Sequence, residues 1–453
     1  MHIIIIGGGG VGRELAQNLF HKRQSIVVIE NNKEIAEKLG QDLDLSVING
    51  NGANLDILHK AKIKSADMLI AVTGADEVNI IASMIAKKLG VHFTVARVRN
   101  PERAGSIDVD TRGLVHKEIG IDMIISPEKA VAQEISKMIH FPEAVEVEHF
   151  AKGRVMMVST TVTQEARITN TTLQELDLPR GCIVVGIKRS NGDFVLPGGR
   201  DKIQVGDKVY LIGKAEVMRK ASSLLHHESS RVDRVIILGG GIIGFYLASI
   251  LESDQQRSFI VKIIEQDPDR VEELNRKLSR TIVLQGDGTE LSYYNEEEIS
   301  EADILVAATE NDRTNIVASM MGQKLGVHKV ISELTRIGYA SIYDTLGILE
   351  TVNPHLITAS QILRFTRRED VASLCLLKEE AAEVMEVVLP ETACVVGQKI
   401  SQAGFPKGLL IGTIVRGDEI IIPDGNTVLK ADDHLVIFTI VCFNLDRFFA
   451  CRE

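Results

Sequence analysis

The sequence predicts an α/β chain made by duplication, with two doubly wound parallel sheets, each followed by a small α+β module. Three observations carry this. The segment HIIIIGGGGVG at 2–12 recurs as RVIILGGGIIG at 234–244, an offset of 232. The segment from Ala71 to Val91 recurs from Ala307 to Val327, an offset of 236, with twelve of 21 aligned residues identical. Between these blocks, short β-branched runs alternate with helical periodicity, the pattern of strands joined by crossover helices. The four-residue drift fits small insertions in surface connections.

In the first large unit the predicted strands are Ile3–Ile6, Ile26–Glu30, Leu45–Ile48, Met68–Val72, Phe93–Arg97 and Met123–Ile125. The first loop leads into a helix from Arg13 to Phe20. A weaker repeat follows each large unit. Pro197 to Asp207 (PGGRDKIQVGD) resembles Pro423 to Asp433 (PDGNTVLKADD), and each precedes a short apolar strand, Lys208–Ile212 or His434–Phe438. The layout is therefore N–C–N–C: domains at 1–141 and 229–370, small modules at 142–228 and 371–453. The boundaries fall near Phe141-Pro142, in the polar run His226 to Asp233, and near Arg367 to Asp370.

Bulk composition limits the function. At 453 residues the chain exceeds a single core, and the apolar and charged fractions, 45% and 25%, are those of a globular protein. A net charge of −11 argues against nucleic acid, whose phosphates need clustered Lys and Arg. Five scattered cysteines, Cys182, Cys375, Cys394, Cys442 and Cys451, form no CxxC pair and suit free thiols in a reducing cytosol. The first strand begins at His2, which predicts no secretory leader. Apolar runs such as Leu435 to Val441 are too short to span a bilayer.

The glycine loops carry the chemistry. Gly7, Gly9 and Gly12 supply G-x-G-x-x-G between a strand and a helix, with Gly8, Gly10 and Val11 completing the loop. In Rossmann-type domains the first glycine permits the tight turn, the second lets a pyrophosphate approach, and the third lets helix pack on strand. Glu30 ends the next strand, 18 residues after Gly12, where a carboxylate holds ribose hydroxyls and repels a 2′-phosphate. The second unit repeats the set with Gly239, Gly240, Gly241, Ile242, Ile243, Gly244 and Glu265. Asn51-Gly52 and Asp287-Gly288 follow the third strands, and Thr73-Gly74 and Thr309-Glu310 the fourth. Each lies at the carboxyl ends where ligands sit, although ordinary turn chemistry explains these pairs equally well. Arg97 and Arg99 end the fifth strand and can pair with phosphates or with surface acids; the second unit has Glu333 at the position of Arg97. Two sites so different in charge should not bind one ligand equally well.

These residues resemble the bacterial TrkA family, peripheral regulators of Trk potassium uptake built from tandem RCK (KTN) domains. The resemblance rests on the two G-x-G-x-x-G–Glu units, the NGNGAN and QGDGTE segments, and the TxxDxxNxxAS helices at Thr73–Ser83 and Thr309–Ser319. Ser126-Pro127-Glu128 and the two small modules also fit. It implies a cytosolic ring of such domains, four units per ring, attached to an integral-membrane channel-like potassium subunit (TrkH/TrkG-like). It further implies regulatory ligands of the NAD/NADH or ATP/ADP kind at Gly7 to Val11, Glu30, Thr73 and Arg97, and at Gly239 to Ile243 with Glu265. Glu128 matches a position reached by ligand from a neighbouring domain, where the second unit carries His355.

Two other classes stay open. An NAD-dependent oxidoreductase would need a substrate domain presenting a catalytic side chain, and only two look-alike modules of about 75–85 residues remain for that role. Their histidines, including His226, His227 and His434, show no acid partner pattern, and no CxxC or i, i+4 spacing marks a metal site. A nucleotide-free oligomerisation scaffold would keep the glycine loops for packing alone.

Overall fold

A computed structural model describes residues 1–20, 25–43, 45–99, 120–142, 144–164, 166, 171–225, 232–255, 257–288, 302–348, 350–365, 371–376 and 382–440. The first sheet runs β1 (His2–Ile6), β2 (Ser25–Glu30), β3 (Ser46–Asn49), β4 (Met68–Ala71), β5 (Phe93–Arg97) and β6 (Met123–Ile125). Its spatial order is β3-β2-β1-β4-β5-β6, all parallel, so the strand order reverses beside β1. Helices cover both faces, and Ile3 to Ile6 are accordingly buried on both sides. The predicted strands agree to within one residue. The first helix differs: it begins at Gly10, three residues early, because the glycines that signal a loop already lie in its first turn.

The first small module is a five-stranded antiparallel sheet of β7 (Ala144–Phe150), β8 (Val155–Thr161), β9 (Cys182–Lys188), β10 (Phe194–Val195) and β11 (Lys208–Lys214), closed by helix Ala215–Ser222. The second large sheet repeats the first with β12 (Arg234–Leu238), β13 (Ile260–Glu265), β14 (Ile282–Gln285), β15 (Ile304–Ala307), β16 (Lys329–Glu333) and β17 (Glu350–Val352), in the order β14-β13-β12-β15-β16-β17. A second antiparallel sheet holds β18 (Val371–Leu376), β19 (Glu383–Val388), β20 (Leu409–Arg416), β21 (Glu419–Ile421) and β22 (His434–Thr439).

The chain gathers into two compact units, one of residues 1–136 with 232–363, the other of 137–231 with 364–453. In the first unit, helix Pro354–Phe365 places Ala359 and Ile362 in the core formed by Ile3, Ile5, Leu15 and Ile70 of the first sheet. The second unit has a shared core in which Phe150, Met157 and Tyr210 meet Val384, Val436 and Phe438. There Phe194 stacks on Phe438 at 5.7 Å.

The weak repeat has a structural cause. Asp207 and Asp433, buried in their modules, pair with Arg189 (2.5 Å) and Arg416 (2.7 Å). Each also accepts from a backbone N–H three residues earlier, Gln204 at 2.9 Å and Lys430 at 2.8 Å, and so fixes the turn before its strand. Two sequence expectations need correction. His434 does have an acid partner, Glu386 at 2.9 Å, delivered across the sheet where spacing along the chain cannot reveal it. Cys182 is a buried free thiol, but Cys394 is disulfide-bonded; linear spacing does not show which sulfurs meet. His226, His227 and the boundary at 367–370 lie outside the described residues. Among the described residues no helix is long and apolar enough to cross a membrane, and no group of three His, Cys, Asp or Glu side chains could hold a metal ion.

Candidate functional site

Each glycine loop is held by the strands beside it. The Gly7 N–H donates to the Ile29 carbonyl at 2.8 Å and that of Gly239 to Ile264 at 3.0 Å. Both glycines have φ of 102°, a left-handed conformation open to glycine and strained for other residues. A Cβ on Gly12 would collide with the Gly7 carbonyl, and one on Gly244 with that of Gly239. The middle glycines are different. Nothing lies within 4 Å of a Cβ built on Gly9 or Gly241, so the backbone there faces open space at the start of a helix. A phosphate fits such a place, meeting unpaired N–H groups and the positive end of the helix dipole.

The acids stand beside these loops. Glu30 accepts from the Gly8 N–H at 2.6 Å and from the Asn32 N–H at 2.7 Å. Glu265 repeats this with Gly240 at 2.7 Å and Asp267 at 2.9 Å. Both carboxylates remain partly exposed and keep lone pairs able to accept further hydrogen bonds. Glycine is also needed at Gly52, where a Cβ would collide with Ile6, and less stringently at Gly288 against Leu238. Asn51 spends its side-chain oxygen on the Ala53 N–H at 2.9 Å, which is turn chemistry.

At the ends of the fourth strands sits a pair of residues that reading for ligands overlooked. Asn79, fully buried, accepts from the Thr73 N–H (2.9 Å) and hydroxyl (2.8 Å) and donates to the carbonyls of Thr73 (3.1 Å) and Arg97 (2.9 Å). Asn315 makes the same four bonds, to Thr309 at 3.0, 2.6 and 3.0 Å and to the Glu333 carbonyl at 3.2 Å. Each asparagine therefore ties the end of strand four to that of strand five. The signal was present in the repeated TxxDxxNxxAS pattern. Gly74 and Glu310 lie at this rim, Glu310 exposed to solvent.

The two crevices diverge in charge. Arg97 is largely buried and pairs with Glu128 at 3.6 Å, while its Nε and one Glu128 carboxylate oxygen are buried without a hydrogen-bond partner. Arg99 approaches the same carboxylate at 4.0 Å. Burial raises the Glu128 carboxyl above its ordinary range despite the two arginines, and burial likewise lowers the Arg97 guanidinium. Glu333 replaces Arg97 in the second half. Burial first, then the charges of Asp312, Glu128 and Glu310, push its carboxyl up to about 8, so it is mostly protonated at neutral pH. Arg270 departs too. It binds the second loop's carbonyls, Gly240 at 2.6 Å and Gly241 at 3.2 Å, lies over the Phe245 ring, and pairs with Glu273 at 2.6 Å. Its counterpart in the first half is the exposed Ile35. Glu128 and His355 both lie within the unit formed by the two sheets, and each is sensed electrostatically by the opposite half.

The TrkA-N domain family matches residues 3–127 and 235–354, and the TrkA-C domain family 157–226 and 384–440. The chain belongs to the TrkA family. Its relatives include the Trk system potassium uptake protein TrkA homolog 1 of Methanosarcina mazei, 34% identical over 446 residues that cover 97% of each chain. The Trk system potassium uptake protein TrkA of Vibrio alginolyticus is 33% identical, covering 97% of this chain and 96% of its own. Among solved structures, the GsuK RCK domain has the same fold, with a TM-score of 0.60, 18% identity, and coverage of 96% of this chain and 92% of the other. The GsuK channel bound to NAD gives 0.62 at 18% identity, covering 97% and 76%. In TrkA-family terms the two TrkA-N segments hold the glycine loops, and the TrkA-C segments form the antiparallel sheets.

Proposed function

We propose that this TrkA-family chain is a cytosolic, non-enzymatic regulator of potassium uptake, which senses nucleotides in its two parallel-sheet domains and gates a membrane potassium subunit of the TrkH/TrkG kind. The observation that carries this reading is the open space over Gly9 and Gly241 beside Glu30 and Glu265. The names of the relatives, Trk system potassium uptake proteins, support the transport assignment. A related fold described as bound to NAD, and another as bound to ADP, support nucleotide ligands.

In this reading the four segments 1–141, 142–228, 229–370 and 371–453 act as separate domains. The adenosine half of NAD/NADH or ATP/ADP lies toward Glu30 or Glu265, its phosphates over Gly8 to Val11 or Gly240 to Ile243, and the far half near Thr73, Gly74 and Arg97, or Thr309, Glu310 and Glu333. Asn51, Gly52, Asp287 and Gly288 shape the floor. The nucleotide supplies charge and shape, and the chain supplies donors that count it. Binding favours one arrangement of domains in a ring of four chains at the membrane's cytoplasmic face. A swing from 1:99 to 99:1 needs about 5.5 kcal/mol of differential affinity, which several sites together can provide.

The test is calorimetric titration of the full chain with ATP, ADP, NAD and NADH, beside E30A and E265A. Two sites per chain, one lost in each variant, establish two sensors. A site lost only in E30A makes the second half structural. No binding by any nucleotide ends the sensor reading and favours a scaffold, in which the glutamates only brace the Gly8 and Gly240 amides.

A further inference from the structure

Gly10 is a residue that neither its backbone nor the glycine fingerprint explains. It occupies a variable position of G-x-G-x-x-G, it is absent from the left-handed conformations, and it opens a helix that glycine weakens. The second loop carries Ile242 there. What needs the missing side chain is His355: a Cβ on Gly10 would collide with the imidazole Nδ1, Cε1 and Cγ. The histidine belongs to the second half of the duplication and lies against the loop of the first.

We propose that His355 is a phosphate-contacting residue of the first nucleotide site, and that it favours nucleotides with a free terminal phosphate over dinucleotides. The proposal rests on the nucleotide-sensing reading and adds a specificity residue to it. His355 is firmly placed. Its backbone N–H donates to the Asn353 side chain at 2.9 Å, and the helix it opens is anchored one and two turns on by Ala359 and Ile362 in the first sheet's core. The ring therefore stays beside the first turn of helix Gly10–Phe20, whose amides point at the phosphate position.

The charged groups whose fields act on the imidazole include Arg97 of β5, Asp312 of helix Asp312–Lys324 and Glu14 of helix Gly10–Phe20. Burial, then Arg97, hold the imidazole below its ordinary pKa. A phosphate set between His355 and Arg97 reverses that balance, since an anion favours the imidazolium. Each phosphate of a dinucleotide carries one ester and one anhydride bond and keeps a single charge, whereas the terminal phosphate of ADP or ATP takes a second negative charge near neutral pH. An imidazolium formed at His355, together with the field of Arg97, therefore rewards the terminal phosphate. Because binding raises the imidazole pKa, affinity strengthens as pH falls through the bound-state value and weakens as pH rises.

The experiment titrates ADP and NAD into the full chain carrying E265A, so that the first site reports, at pH 6 and pH 8, alongside the same chain with H355Q or G10A. Comparing slopes removes the titration of ADP itself. The parent should gain about tenfold more ADP affinity between pH 8 and pH 6 than H355Q does, the effect of one pKa unit. The preference for ADP over NAD should fall by a similar factor in H355Q. G10A, whose methyl group displaces the imidazole, should match H355Q, and it serves as the test if H355Q does not fold. If both variants keep the parent's pH slope and ADP:NAD ratio, this inference is overturned while nucleotide sensing stands. If the parent binds neither ligand, both fall.

Discussion

The two parallel-sheet domains share one frame and differ in what they present to a ligand. Asn79 and Asn315 make matching sets of four hydrogen bonds, Glu30 and Glu265 brace matching amides, and Gly7 and Gly239 have the same φ. Around that frame the second half has Glu333 in place of Arg97, His355 in place of Glu128, Arg270 in place of Ile35, and Ile242 in place of Gly10. The duplication has kept what the fold requires and changed the charge of the crevice. The first crevice is edged by Arg97 and Arg99, both drawn to the buried Glu128. The second is edged by a buried carboxyl and has an arginine already committed to its own loop carbonyls.

The shared frame should fail equally in both halves. N79A and N315A each strand a buried N–H and two carbonyls, and each should cost about 3–4 kcal/mol in urea unfolding. Unequal losses would show that the frames are not energetically equivalent. Glu333 should then separate the halves through pH. Its folded-state pKa of about 8 exceeds the ordinary value, so the folded chain holds the extra proton between about pH 4.5 and 8. Stability is full below that window and declines as pH rises through it. E333Q should be more stable than the parent by about 2–4 kcal/mol at pH 8, with the gap closing near pH 5. A gap independent of pH would place the effect in packing. The smallest effect belongs to Arg270. R270L should cost about 1 kcal/mol and increase hydrogen exchange at the second loop, leaving the first unchanged. Equal changes in both loops would remove Arg270 as a difference between them.

Much of this could be read from the chain. β1, with its run of isoleucines, and the glycine loops announce themselves because strand period, turn chemistry and repetition coincide there. The charge exchange at Arg97 and Glu333 was also visible by aligning the halves. Arg270 was not, since an arginine on an amphipathic helix reads as a solvated residue until its guanidinium is seen on the Gly240 carbonyl. The partnership of Gly10 and His355 was hidden for another reason: 345 residues separate them, and a fourth consecutive glycine looks like a longer loop. Glu386 and His434 are neighbours through sheet register, which one sequence leaves unspecified.

The anchoring of helix Pro354–Phe365 in the first core also bears on how the chain is made. Synthesis proceeds from the N-terminus, and the first sheet, which ends at Ile125, leaves the ribosome roughly 230 residues before this helix, which begins at Pro354. At about 5–20 residues per second, the interval is on the order of ten to forty seconds. During it the apolar surface of Ile3, Leu15 and Ile70 lacks its last covering element. The core of the nascent first domain is thus completed only when the second has been translated.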